Sequence, residues 1–224
     1  MGLSRPVVAL VALAALSLAP FILVMTTSFL KFSVVASILR SALGTQQIPP
    51  NQVNMGLALI LTIYVMAPVG AKVYHEVEDL VNEAVADGVF SDQSVEILRK
   101  AIERGKKPYL DFLYRHSSKR DRELFVRLGA MLHRNDPEPY VADEREFTGL
   151  VAAFVTTELT EAFQIGFILF VPFIVIDMIV SNVLLAMGMQ MLSPTIVSLP
   201  LKLLLFVLVD GWYVILRNLV LGYV

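Results

Sequence analysis

The sequence contains no cysteine, which excludes disulfides, thiolate catalysis and cysteine-ligated metal. Charge is scarce as well. Only 17% of residues are charged and 56% are hydrophobic, against about 25% and 45–50% in soluble domains. That balance excludes an ordinary soluble domain and points to a membrane protein or a very apolar assembly. The net charge of −2 offers no field to attract nucleic acid, so no nucleic-acid partner is expected. Glycine-rich phosphate loops, Gly-x-Ser-x-Gly and His-Glu-x-x-His are all missing. His75, His116 and His133 fall on separate predicted helices without metal-ligand spacing and read as solvated. The expectation is a protein that is not an enzyme, with no catalytic, cofactor or metal residues.

The charges that are present are gathered in one place. Tyr74–Phe147 holds 28 of the 38 Lys, Arg, Asp and Glu residues and all three histidines. This reads as a charged, helical, extracytoplasmic insert (74–147) between an N-terminal apolar region (1–73) and a C-terminal apolar hairpin (148–224). Spans are expected over about 7–25 and 53–69, since about 20 apolar residues cross a bilayer. A retained first helix is preferred to a cleaved signal, because Pro20 follows the small-residue box Ser17-Leu18-Ala19. Between the spans, Phe32, Val35, Ala36, Leu39 and Leu43 recur at helical spacing, with Gly44 as terminator. Pro49-Pro50 bars helix until beyond it. Pro68 and Gly70 mark the weakening end of the second span.

Within the insert the sequence predicts four short amphipathic helices. Val73, Val77, Leu80, Val81 and Ala84 form the first stripe, ended at Asp87-Gly88. Ser91 caps the second, which Gly105 stops. Tyr109, Phe112 and Leu113 form a third, and Leu124, Phe125, Leu128, Met131 and Leu132 a fourth. Such narrow stripes call for something to dock against.

The C-terminal region is two apolar runs, Phe163 to Trp212, joined by Met187-Gly188-Met189-Gln190-Met191-Leu192-Ser193-Pro194. That connection reads as too flexible for a helix and too apolar for a surface turn. Pro172 should kink the first arm, and the second is expected to run from about Ile196 to Leu221. Glu158, Glu161, Asp177, Lys202 and Asp210 lie in or beside these runs. Each ionised group in hydrocarbon costs at least ~2.5–3.5 kcal/mol, so all five are expected at buried polar or intersubunit contacts. Lys202 and Asp210 are too far apart along one helix to pair. Met187, Met189 and Met191 read either as packing side chains or, in a symmetric ring, as a deformable apolar seal. The alternative to a protein conduit is an ion-coupled transporter or channel using Glu158, Glu161 and Asp177.

Two blocks carry a resemblance. TSFLKFSVVASILRSALGTQQIPPNQVNMGLALILTIYVMAP (Thr27–Pro68) and FQIGFILFVPFIVIDMIVSNVLLAMGMQMLSPTIVSLPLKLLLFVLVDGWYVI closely resemble the signature regions of the R-type export-gate family of type III secretion systems, to which flagellar FliP belongs. Thr45-Gln46-Gln47 looks more like the injectisome branch than the flagellar one. The resemblance implies an all-α membrane protein with about four long apolar helices in two hairpins, packed into a pseudo-helical hetero-oligomeric ring. It implies several copies of the chain, a pentamer in the family's pattern, joined by S-type and T-type subunits. Their assembly is the inner-membrane entry portal for unfolded polypeptides, protruding on the periplasmic side, with the apolar helices buried between subunits and some in contact with inner-membrane lipid. It implies that the tip lines the pore as a gasket of Met187, Met189, Gln190 and Met191, with Gln190 departing from an all-methionine loop. Charge bias places the 26–52 loop in the cytoplasm and both termini and the insert outside.

Overall fold

The structure is a computed structural model, and it describes residues 17–18, 20–45, 49–87, 92–134 and 143–224. Every regular element among them is helical. After a helical stretch through residues 20–25 come α1 (Phe29–Leu43), α2 (Asn51–Asp87), α3 (Asp92–Arg115) and α4 (Lys119–Leu132). They are followed by α5 (Phe147–Ala186), α6 (Pro194–Leu208) and α7 (Gly211–Leu221). Most of the first expected span lies outside the described residues, as does the expected cap Ser91.

The short helix α1 is the hub. Phe32, Val35, Leu39, Ala42 and Leu43 are all buried. They join Ala58 of α2, Ala162 and Phe173 of α5, Phe206 of α6, and Ile215 and Leu219 of α7 in one core. The helix ends where its sequence says, at Gly44, whose φ of 76° is the left-handed geometry that favours glycine. Against α5 it comes very close. A Cβ on Gly166 would lie 2.4 Å from Ile38 Cδ1 and 2.9 Å from its Cγ2, so glycine is what lets these helices touch.

Two expected breaks do not occur. Helix α2 continues through Pro68 for 37 residues, so the last apolar stretch and the first stripe of the insert share one rod. Residues Asn51–Leu80 of it are long and apolar enough to cross a membrane. Helix α3 likewise continues through Gly105 and Pro108, uniting the second and third predicted stripes. Gly105 is a packing residue rather than a stop: a Cβ there would meet Val73 Cγ1 of α2 at 3.3 Å. Tertiary contact along the α2–α3 pair outweighs the lost proline hydrogen bonds.

Helix α5 runs unbroken for 40 residues, Pro172 included, which is about 60 Å at 1.5 Å per residue and about twice the thickness of a hydrocarbon core. It too qualifies as a membrane span. Its N-terminal half packs against α1, α3 and α4. Beyond Ala162, Phe163, Phe167, Ile168, Met178 and Ile179 point outward, as expected of a surface meant for lipid or other subunits.

The second arm of the hairpin is not one helix. It breaks at Val209–Asp210 into α6 and α7, bent by 60°. Asp210 takes a left-handed φ of 52°, and Gly211 sits so tightly on Phe206 that a Cβ would lie 2.3 Å from its ring. Among the described residues there are thus two candidate spans, or three if the bent pair counts as one.

Candidate functional site

The hairpin tip is better defined than its composition suggests. Gly188 has φ 73°; its amide donates to Leu185 O (3.1 Å) and the Met189 amide to Leu184 O (2.9 Å). That pair of bonds is a Schellman motif, which stops a helix at a fixed point. Gln190 N then donates to Gly188 O and Leu192 N to Met189 O, before Ser193 and Pro194 open α6. The connection is therefore a tight hydrogen-bonded turn, not a flexible loop. Met187, Met189 and Gln190 are exposed, and Met191 is fully so. None is buried against the chain's own helices.

Below the tip the two arms are locked together by ions. Lys202 Nζ of α6 lies 2.7 Å from Asp177 Oδ2 of α5, and Ser198 Oγ donates to Asp177 Oδ1 at 2.5 Å. The same ammonium donates to Ala42 O at 3.2 Å, so a lysine caps the carbonyl end of the hub helix. Lys202 is buried, with 3% of its side chain exposed; Asp177, at 35%, still reaches solvent.

Deeper, Lys31 of α1 sits between two carboxylates of α5. Its Nζ is 3.1 Å from Glu158 Oε1 and 2.6 Å from Glu161 Oε2. Lys31 and Glu158 are almost wholly buried, whereas Glu161 is half exposed. Glu158 and Glu161, three apart, share one helix face, and the lysine faces that side. The Tyr223 hydroxyl donates to Glu158 Oε2, and Lys31 lies over its ring, 4.3 Å from the centroid. Lys31 is close enough to Glu158 Oε1 to form an ion pair, yet no donor is aligned on that oxygen. Phe32, Phe112 and His116 pack round the same tyrosine ring.

His116 is therefore not the solvated histidine expected from the sequence. Burial, with the Lys31 and Arg115 cations adding, lowers its imidazole to about 4, so it is neutral at pH 7. His75 and His133 are exposed.

Asp210 is exposed, with no side-chain partner among the described residues, and its place is the left-handed corner between α6 and α7. Asp177 lies about 28 Å along α5 from Glu158 at 1.5 Å per residue. The carboxylates fall at two separate sites, Glu158 and Glu161 around Lys31 and Asp177 beside Lys202.

The FliP-family model matches residues 12–219. The chain is 46% identical over 217 residues to Yop proteins translocation protein R of Yersinia pestis, covering 96% of this chain and 94% of that one. The chain belongs to the FliP family. Flagellar biosynthetic protein FliP of Bacillus subtilis is 40% identical over 97% of this chain and 92% of its own length. The probable translocation protein y4yL of Sinorhizobium fredii is 41% identical over 97% and 94%. This FliP-family chain is accordingly a type III secretion export-apparatus subunit.

In the FliP-family chain the expected polar residues Glu158, Glu161, Asp177 and Lys202 find partners within one subunit. Their partners Lys31, Ser198 and Tyr223 were not singled out by sequence reasoning. The only signal for Lys31 was a charge interrupting an otherwise apolar helical stripe.

Proposed function

We propose that this chain is a core subunit of the type III secretion export gate. Several copies assemble with S-type and T-type subunits around a conduit for unfolded polypeptides in the bacterial inner membrane, with the gate raised towards the periplasm. It acts as a passive, gated channel wall and not as an enzyme. Met187, Met189, Gln190 and Met191 line the pore as its gasket, and Asp210, without a side-chain partner among the described residues, takes one from a neighbouring subunit.

The observation that carries this reading is the tip itself. Three methionines project from a hairpin whose turn is fixed by a Schellman motif and whose arms are pinned by Lys202, Asp177 and Ser198. A rigid stalk presenting soft, unbranched apolar side chains suits an elastic seal: thioethers repack round an irregular polypeptide and close again by excluding water.

The chain co-expressed with its small hydrophobic neighbours should purify in mild detergent as a stable multimer. Met189→Ala with Met191→Ala should then leave assembly intact while making the closed membrane leaky to small solutes in a dye-release assay. A monomer that moves ions in liposomes would refute the gate, and an unaltered barrier in the double variant would refute the gasket.

A further inference from the structure

Where α2 leaves its apolar stretch and crosses α3, the two helices enclose a cleft of about 400 Å³. Val65, Val69 and Phe112 contribute apolar surface to it, and Lys72, Lys107 and Arg115 contribute charge. None of these three cations has an ion-pair partner among the described residues. Of the two acids on the cleft, Asp111 is engaged by Arg145 at 2.9 Å, leaving Glu76 as the opposing charge. His116, on the same wall, is kept neutral by its burial.

The depth of the cleft follows from the sequence of α2. Ile60, Ile63 and Tyr64 are exposed apolar or aromatic side chains. Lys72 is the first charge after Arg40, and the exposed Tyr74 follows it. An apolar helix face closed by lysine and tyrosine is how a span meets the headgroup layer. Clustered cations beside an apolar wall suit a phosphate headgroup, because its oxygens accept charge-assisted hydrogen bonds.

We propose that this cleft binds one anionic phospholipid. Its phosphate sits on Lys72, Lys107 and Arg115, and its first acyl methylenes lie along Val65 and Val69. The site requires that α2 cross a headgroup layer beside the cleft, and it does not depend on the gasket role of the hairpin tip.

The test is native mass spectrometry of the full chain, purified with its co-expressed partners in mild detergent and titrated with phosphatidylglycerol or phosphatidylethanolamine. Wild type should retain phosphatidylglycerol about tenfold or more over phosphatidylethanolamine, as three cations acting at a headgroup imply. K72Q/K107Q/R115Q should lose that preference, while Lys106→Gln, whose ammonium lies over the Phe147 ring instead, should keep it. Glu76→Gln should strengthen retention, a gain that misfolding cannot imitate and that still decides the matter if the triple variant fails to assemble. Equal retention of the two lipids by wild type overturns the proposal. So does displacement of phosphatidylglycerol by millimolar inorganic phosphate, which assigns the cleft to a soluble anion. A triple variant that keeps its lipid but sheds a subunit overturns it too, and gives the cleft to a protein neighbour.

Discussion

Replacing Lys31 by methionine keeps most of the side-chain volume and removes the one cation that Glu158 and Glu161 share. The cost follows from where the charges are. Lys31 and Glu158 expose 3% and 0% of their side chains, so Lys31→Met strands a buried carboxylate, a loss of about 3–5 kcal/mol. Glu161, with 47% exposure, turns to water and adds little. Glu158→Gln made together with Lys31→Met removes the stranded charge while still accepting the Tyr223 hydroxyl. It should bring stability back to within about 1 kcal/mol of wild type, a coupling of roughly 2–3 kcal/mol in a double-mutant cycle. The exposed pair Arg104–Asp79, at 2.7 Å with side chains 49% and 65% exposed, is the control, and its loss should be far milder because solvent screens it. Guanidinium titration of the detergent-solubilised chain reads all of this through Trp212, the single tryptophan. If Lys31→Met is as mild as Arg104→Met, or if the double variant is worse than the single, the cluster is not the desolvated anchor described here.

Four further outcomes follow from the packing and the backbone. Gly166→Ala drives a Cβ into the branched end of Ile38 and should destabilise by about 1–3 kcal/mol. Gly70→Ala, in helix with nothing within 4 Å, should stabilise by about 0.5–1 kcal/mol in the same titration. The neutral, half-buried His116 binds its proton more readily when unfolded, so its contribution is complete above about pH 6.5 and declines as pH falls towards 4. Over that window wild type should lose about 1–2 kcal/mol more than His116→Gln, the full shift being discounted because the ring is only partly buried. Gly188→Ala places a Cβ on a backbone at φ 73° and should cost about 1 kcal/mol. Because it loosens the turn that aims the methionines, dye release should rise where stability barely moves.

Local chemistry is what could be read in advance. Gly44 ends α1, as a glycine able to take the left-handed conformation at a helix end should. What escaped was governed by distant partners. Pro68 and Gly105 look like breaks only until α2 and α3 are laid side by side, where Gly105 packs closely on Val73. The corner at Asp210 is hidden in an unbroken apolar run because Phe206 and Gly211 create it by contact, not by composition. Lys31 and Glu161 are 130 residues apart, and no periodicity links two such positions. Glu158, Glu161, Asp177 and Lys202 have partners within the chain, and which groups those are is information held only by the fold.

The ion cluster also imposes an order in time. Lys31 is synthesised 130 residues before Glu161, and Glu158 another 65 before Tyr223. At ribosomal speeds of about 5–20 residues per second, the lysine waits roughly 6–26 s for its carboxylates and several seconds more for the tyrosine that covers them. Throughout that interval α1 carries an uncompensated charge that hydrocarbon refuses. The lysine on the helix at the centre of the finished molecule therefore gains its ion-pair partners only after most of the chain has been made.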